Sequence, residues 1–339
     1  MDIIPESGHG LRMNTRENSE LTIPIVTSVK ALFLYILFFN YGFINPFSYE
    51  LPFLPFISIF DRIPSAIYQV LSVILGFAVI MPLLIKRYYS AFAFTSGLIT
   101  LFFILSSKIL FSNSLTFAAC FLLLAGLYYG SIYIFRIQIS ILYVGAAINK
   151  IFSEDWWNGL FIDYLLKDML QGSLYQLLFP AGEMNTAIVL GIIVMLIELL
   201  LGIFVLIPKF TRFVIVGGLL FHGSMLVVTA GSLSIFFMYI MSAAFISISD
   251  FRPHQITLQG GHAITIYILT RLDLTDTIVA GYEIKKKRFT IDKLGYQFSG
   301  RKAWLELIQS RQFAVWAWFM ILIGWFLIPR IVQKVIQFM

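Results

Sequence analysis

Charged residues are scarce in this 339-residue sequence: they make up 12% of it, whereas hydrophobic residues make up 59%. A soluble globular domain carries about 25% charged residues. So little charge argues against a soluble protein and favours a chain that lies mostly in a lipid bilayer. The net charge of +6 does not predict nucleic-acid binding, because Lys and Arg stand in short loops between apolar runs and no basic stripe with interleaved aromatics occurs.

Cysteine and histidine are scarce as well. The single cysteine, Cys120, excludes internal disulfides and CxxC redox chemistry, and inside its apolar run it is expected to be a small packing residue. The four histidines are His9, His222, His254 and His262. None has another histidine at the i+3 or i+4 spacing of a helical metal site, so no metal is predicted.

Long apolar runs are what the sequence has instead. A run of about 17 to 25 apolar residues can cross a bilayer as a helix. Seven runs of this kind lie at 25–44, 66–85, 90–107, 115–135, 187–207, 212–230 and 232–248, with a shorter one at 137–151. The predicted fold is an all-α polytopic membrane protein with about eight transmembrane helices.

Basic residues predict the orientation, because cytoplasmic loops are rich in Lys and Arg. If the N-terminus is cytoplasmic and 137–151 crosses, nine basic residues near the ends of the apolar runs fall on the cytoplasmic side. They are Arg12, Arg16, Lys30, Lys86, Arg87, Arg136, Lys209, Arg212 and Arg252. We therefore expect a multi-pass protein of the inner (cytoplasmic) membrane with both termini in the cytoplasm. The proline-rich loop 45–65 and the segment 152–186, with a helix on the membrane surface, then lie outside.

Composition divides the chain into three parts. Residues 1–24 form a polar segment without a recognisable cleavable signal peptide, and residues 25–250 hold the apolar runs. Residues 251–339 contain alternating, strand-like patterns and the basic run KKKR at 285–288. They predict a small cytoplasmic α/β domain, which a tryptophan-rich apolar stretch at 313–329 completes.

Three ionisable residues in or beside apolar runs are candidates for function, because a charge is unfavourable inside a bilayer. Glu198 needs a proton or a partner there, and a hydrogen bond to a neighbouring helix is the structural alternative. His222 lies among small residues and either bridges helices or transfers protons. Lys150 is either a snorkelling interfacial residue or a base, since a desolvated lysine loses its proton more readily.

Polar residues nearer the ends of the runs have simpler expected roles. Lys30, Lys108 and Arg136 are expected to be membrane anchors, and Asn113 is expected to cap a helix.

Five neighbours of Lys150 complete the candidate set. Tyr143 and Asn149 share its helix, although a spacing of six residues need not place them on one face. Asp155, Trp156 and Trp157 form an aromatic-acidic turn, which is expected to lie at the membrane interface.

The stretch YVGAAINKIFSEDWWNGLFIDYLL at 143–166 resembles a signature of the vitamin K-dependent γ-glutamyl carboxylase and its wider horizontally transferred transmembrane (HTTM) family. The shared pattern is an apolar helix with small residues, then Lys, a short acidic turn, Trp and Gly. The order downstream also matches, with Glu198 in a helix, a basic turn at 209–212 and His222 in the next helix. The resemblance covers about residues 25–250 and implies an HTTM-like transmembrane domain.

In the carboxylase, the lysine of this motif is proposed to deprotonate vitamin K hydroquinone. The resemblance therefore implies Lys150 as a base, His222 as a second catalytic residue and a quinone as the cofactor. The large extramembrane substrate domain of the carboxylase has no counterpart here, so carboxylation of protein glutamate is not expected. Short bacterial members of the family, one of which is needed to mature a secreted toxin, imply a different role.

Residues 256–339 resemble the DCC thiol–disulfide oxidoreductase domains that are found near or fused to HTTM proteins. The similarity lies in LGYQFSGRKAWLELI (294–308) and in the tryptophan-rich stretch 313–329. Ala263 and Ile266 stand where that family has its cysteines. The resemblance implies a thioredoxin-like module that has lost its redox chemistry and binds a partner.

These observations leave three functions open. The expected one is a membrane anchor or partner subunit in the maturation or export of a secreted peptide or protein, with the lipid bilayer and another membrane or secretion protein as partners. The alternative is a carboxylase-like membrane enzyme that acts on a quinone or a peptide, with Lys150 as its base. A transporter is the second alternative, although no inverted repeat or pair of broken apolar segments is evident.

Overall fold

The computed structural model describes most of the apolar part of the chain and parts of the C-terminal segment. The described residues are 21–39, 57–85, 87–108, 111–128, 131–169, 184–228, 235–249, 256–259, 266–267, 269–270, 273, 278–280, 290–293 and 296–309. The predictions for the basic run 285–288 and the apolar stretch 313–329 fall outside these residues, as do most of those for 1–24 and 45–65.

Helices form the apolar part, as its long runs of helix-compatible residues require. They are α1 (Ile23–Phe39), α2 (Ser65–Ile85), α3 (Tyr89–Ser106), α4 (Asn113–Gly126), α5 (Tyr133–Ile151), α6 (Glu154–Trp157), α7 (Leu160–Tyr164), α8 (Met184–Phe204), α9 (Thr211–Val228) and α10 (Ile235–Ile248). Short 3-10 turns lie at Ser58–Arg62 and Pro208–Phe210, and a π turn at Leu165–Met169 follows α7.

Four of these helices, α2, α3, α5 and α8, are long and apolar enough to cross a membrane. Their outward faces are apolar too: on α8, large hydrophobic side chains are exposed at helical spacing at Val189, Ile193, Leu196, Leu200 and Ile203. Such a face suits lipid and not water. The chain is therefore an α-helical membrane protein, and the count of eight spans stays a prediction.

The apolar run at 115–135 contains a break between two helices. Helix α4 ends at Gly126, and α5 begins at Tyr133. Helix α5 is therefore longer than the run at 137–151 indicates, and its 19 residues are enough for a span. A hydropathy average over the length of a span hides such a break, because the connection is short and apolar residues such as Leu127 and Ile132 flank it.

Small residues and buried hydroxyl groups bring the helices close together. A Cβ atom on Gly97 of α3 would lie 2.8 Å from the Ala119 carbonyl oxygen of α4, so only glycine allows this approach. Between α1 and α10, Ser28 Oγ donates to the Ala243 carbonyl at 2.6 Å, and Tyr239 Oη donates to the Ala31 carbonyl at 2.7 Å.

Arg136 joins three helix ends at one end of the bundle. Its guanidinium donates to the Val205 carbonyl just after α8 at 2.9 Å, to Thr211 Oγ1 at the start of α9 at 2.7 Å, and to the Ile248 carbonyl at the end of α10 at 3.4 Å. The last carbonyls of a helix have no partner within it, and Arg136 supplies one.

Two of the three expected anchors are instead buried. Arg136 is 8% exposed and Lys30, the eighth residue of α1, is 2% exposed, because both cations have polar partners inside the protein. Lys108, just after α3, is exposed, as expected of an anchor. The cap of α4 is Ser112 and not Asn113: Ser112 Oγ accepts from the Leu115 amide at 3.1 Å. Both residue types favour this position, so sequence alone misplaces the cap by one residue.

The C-terminal segment contains a four-stranded sheet and a helix. The strands are β1 (Ile256–Gln259), β2 (Ile278–Ala280), β3 (Thr290–Lys293) and β4 (Tyr296–Ser299), and α11 spans Arg301–Gln309. The strand order is β2-β1-β3-β4, with β1 parallel to β2 and β3 antiparallel to both β1 and β4. A small core of its own includes Ile256, Leu258, Ile278, Ile291, Ala303 and Leu307. We refer to β1–β4 and α11 as the sheet module.

Replacing Arg136 tests its role as a connection between helices. Arg136→Met leaves two buried carbonyls without their donor and should lower the free energy of unfolding by about 2–4 kcal/mol. Thermal unfolding in detergent measures the change. Arg212→Met, which removes an exposed arginine near the same end, is the matched control and should have little effect. Equal losses in both variants would contradict the role of Arg136.

Candidate functional site

One face of α5 carries three polar residues at intervals of seven, namely Arg136, Tyr143 and Lys150. Seven residues are almost two helical turns, so the three side chains lie on one side of the helix. Each contacts a different part of the bundle formed by α8, α9 and α10. The candidate site is built on this face.

Lys150 and Glu198 form an ion pair between α5 and α8. Lys150 Nζ lies 2.9 Å from Oε1 and 2.8 Å from Oε2 of Glu198. The ammonium also lies 3.4 Å from the Ala146 carbonyl one turn earlier, so the side chain bends back along α5. The two side chains are only 17% and 11% exposed. Lys150 therefore does not snorkel toward the membrane surface but is paired within the protein.

The pair lies well inside the apolar helix α8. Glu198 is fourteen residues beyond Met184, the first residue of α8, which corresponds to about 21 Å at a rise of 1.5 Å per residue. The other end of the helix, Phe204, is about 9 Å away. A charge at this depth requires a partner, and Lys150 is that partner.

Trp156 covers the ion pair. Lys150 Nζ lies 5.0 Å from the centroid of its ring, and the ring stacks on Phe161 with centroids 4.6 Å apart. This cation–π contact adds a favourable interaction for the ammonium. The turn that carries Trp156 packs on Gly191 of α8, where an added Cβ would lie 2.8 Å from the Trp156 carbonyl oxygen. Glycine at 191 is thus needed for the turn to sit where it does.

Tyr143 and His222 form a second polar pair, between α5 and α9. The Tyr143 hydroxyl lies 2.7 Å from His222 Nε2, and the imidazole tautomer decides which of the two donates. Both side chains are buried, and the Tyr143 ring stacks on Phe245 of α10 with centroids 6.5 Å apart. Gly218 packs against the Phe245 ring: a Cβ at this position would lie 2.6 Å from Phe245 Cε2.

The two pairs are neighbours. Glu198 is close enough to the Tyr143 hydroxyl for an electrostatic interaction, and α5 supplies one member of each pair. We call Lys150, Glu198, Tyr143 and His222 the polar cluster. The tertiary structure thus brings together the three ionisable residues that the sequence singles out, with Tyr143 between them.

The remaining candidates lie outside the polar cluster. Asn149 and Asp155 are exposed. Trp157 is exposed as well, and its indole Nε1 donates to the Ile151 carbonyl at 2.8 Å, which closes the last turn of α5. Asn113 is exposed at the start of α4. Trp156 is the one aromatic of its turn that contacts the cluster.

Sequence reasoning missed the link between Arg136 and this face. The seven-residue spacing of Arg136, Tyr143 and Lys150 is the signal that could have revealed it. It also missed Gly218, whose importance depends on Phe245, a residue 27 positions away in the chain. No local pattern contains that information.

The polar cluster combines an amine, a carboxylate, a phenol and an imidazole, all groups that can exchange protons or hold a polar ligand. In the ion pair Lys150 is an ammonium, which has no lone pair with which to accept a proton. Within the described residues, no three His, Cys, Asp or Glu side chains group as metal ligands.

The chain shows no significant similarity to known proteins. No protein-family model matches the chain, and no curated protein or solved structure is significantly similar to it. The HTTM-like and DCC-like character of the chain therefore stays a prediction.

Breaking the ion pair from one side should destabilise the protein. Lys150→Met leaves the Glu198 carboxylate buried without its partner, which costs about 3–5 kcal/mol. The double variant Lys150→Met/Glu198→Leu removes both charges and should recover most of that loss. Thermal unfolding in detergent compares the two, with Lys209→Met as a control at an exposed lysine. A double variant no more stable than the single one would contradict the pairing.

Two adjacent glycines test the packing around Tyr143. Gly218→Ala forces its Cβ against the Phe245 ring and should lower the free energy of unfolding by about 1–3 kcal/mol. Gly217→Ala is the matched control, because its Cβ would meet only Leu201 Cδ2 at an ordinary 3.5 Å. Both variants change helix propensity equally, so the difference between their melting temperatures reports the contact. Equal melting temperatures would show that Phe245 moves aside freely.

Proposed function

We propose that this chain is a membrane partner subunit in the maturation or export of a secreted peptide or protein. The observation that carries the proposal is the Lys150–Glu198 ion pair. The resemblance to the carboxylase makes Lys150 a base, but a base needs a free amine. Here the nitrogen contacts both oxygens of Glu198, and opening a buried ion pair is unfavourable. This geometry favours an assembly role over base catalysis by Lys150.

The sheet module supports a binding role. Its strand order β2-β1-β3-β4, with β3 antiparallel to its neighbours, is the order expected of a thioredoxin-like module. Residues 256–339 contain no cysteine, so such a module has no thiol chemistry of its own. Ile266, at a position where the resemblance expects a cysteine, packs against the module's apolar core. We propose a degenerate thioredoxin-like module that binds a partner.

The proposed topology is an HTTM-like bundle of eight spans in the inner membrane, with both termini in the cytoplasm. The contacts of Arg136 support it. They bring the start of α5, the α8–α9 connection and the end of α10 to one end of the bundle. The basic residues at 136, 209 and 212 therefore share that end, which is the arrangement that the positive-inside rule requires.

A carboxylase-like enzyme that acts on a quinone or a peptide is the second candidate. The observation that favours it is the gathering of Lys150, Glu198, Tyr143 and His222 in one polar cluster inside an apolar bundle. In such an enzyme Glu198 must first take the ammonium proton of Lys150 before Lys150 can act as a base. His222, hydrogen-bonded to Tyr143, is then the second proton-transfer group.

Affinity purification of the full chain from native membranes, with protein, lipid and quinone analysis, separates the two candidates. A partner subunit should recover a membrane or secretion protein in stoichiometric amount. Leu305→Glu places a charge on the outer face of α11, where Leu305 is 48% exposed, and should reduce the recovered partner by about tenfold or more. Lys302→Gln, an exposed residue of the same helix, should not.

The variant Lys150→Met/Glu198→Leu distinguishes the roles of the polar cluster. A partner subunit keeps its partner when this pair is replaced. Recovery of a bound quinone by the wild type, with loss of the quinone in the double variant, would instead support the enzyme. Purification with neither a partner nor a quinone would contradict both candidates.

A further inference from the structure

Lys30 connects the transmembrane bundle with the sheet module. It lies within the apolar helix α1 and is 2% exposed. Its Nζ donates to the Asp273 carbonyl oxygen at 3.5 Å and lies 5.2 Å from the centroid of the Tyr89 ring, at the start of α3. A buried ammonium is stable only with polar or aromatic partners around it. One of these partners belongs to the segment between β1 and β2.

Asp273 links Lys30 to the sheet itself. While its backbone carbonyl accepts from Lys30, its carboxylate Oδ2 accepts from the Ile278 amide at 2.8 Å. Ile278 is the first residue of β2 and belongs to the core of the sheet module. The position of β2 and the burial of the Lys30 ammonium therefore depend on the same residue.

On the bundle side, Lys30 lies along α1 between two residues whose hydrogen bonds join α1 to α10. Ser28 donates to the Ala243 carbonyl at 2.6 Å, and the Ala31 carbonyl accepts from Tyr239 at 2.7 Å. Helix α10 in turn carries Phe245, whose ring stacks on Tyr143 of the polar cluster. A shift of α1 near Lys30 would therefore move α10 through these two short buried hydrogen bonds. Phe245 of α10 would in turn move the Tyr143 ring, whose hydroxyl is hydrogen-bonded to His222.

We propose that the sheet module and the polar cluster are conformationally coupled through Lys30. When the module is seated, the Asp273 carbonyl holds the ammonium and α1 is fixed against α10. When the module is displaced, Lys30 loses one of its polar partners inside an apolar helix, which favours a rearrangement of α1 that solvates the charge. The coupling is reciprocal, because a change in one part alters the stability of the other by the same amount. It does not depend on a partner protein, so it can hold or fail independently of the proposed function.

Hydrogen–deuterium exchange on the full chain in lipid nanodiscs tests the coupling from the bundle side. Lys30→Met removes the charge but keeps an unbranched apolar side chain. Amide exchange should then rise at least about tenfold in β1 (Ile256–Gln259), which loses its bond to the bundle, and stay unchanged in the Tyr239–Phe245 part of α10, because no charge is left for α1 to solvate. Lys209→Met, at an exposed lysine in another connection, should leave both segments unchanged. A rise in α10 with no change in β1 would overturn the proposal.

Asp273→Ala tests the same coupling from the module side and leaves every side chain of the bundle intact. It removes the acceptor for the Ile278 amide, so exchange should rise in β2 and, if the parts are coupled, in Tyr239–Phe245 of α10 as well. A rise confined to the sheet module would overturn the proposal. If Lys30→Met does not reach the membrane in folded form, this variant alone decides the question.

Discussion

A lysine and a glutamate that neutralise each other inside an apolar bundle set the arrangement of the helices around them. Lys150 and Glu198 can meet only if α5 and α8 pack with these two positions facing each other. That register places the Trp156 turn on Gly191 and Tyr143 within electrostatic range of Glu198. An alternative register would leave at least one charge alone in the apolar interior, which is strongly unfavourable. The ion pair therefore specifies how the bundle packs, whatever its net contribution to stability.

The same constraint explains the other buried cations. Arg136 and Lys30 lie where backbone carbonyls of other elements face inward, and each connects parts of the chain that are distant in sequence. In a soluble protein water could satisfy such groups, whereas a membrane interior offers only protein partners. The buried cations of this protein thus connect parts of the chain that are distant in sequence, and they hold the helices around them in place.

Much of the architecture follows from the sequence. The low content of charged residues predicts a membrane protein, and a bilayer requires long apolar helices, which the apolar runs mark. The candidates Lys150, Glu198 and His222 also follow from it, since each stands out against apolar neighbours. The sequence does not show, however, which of these residues pair with one another. Tyr143 has the same local setting as many interfacial tyrosines, and only the position of α9 makes it the partner of His222. The break at Gly126 and the burial of Arg136 are equally invisible, because hydropathy averages over the residues that decide them.

Composition and short runs of residues were enough to predict the membrane environment and the few residues that are unfavourable in it, because both depend on the chemistry of single side chains. The packing of the helices decides which of these residues neutralise one another and which join the sheet module to the bundle. Partners such as Lys150 and Glu198, or Lys30 and Asp273, are far apart in the chain. Their meeting depends on how whole helices pack.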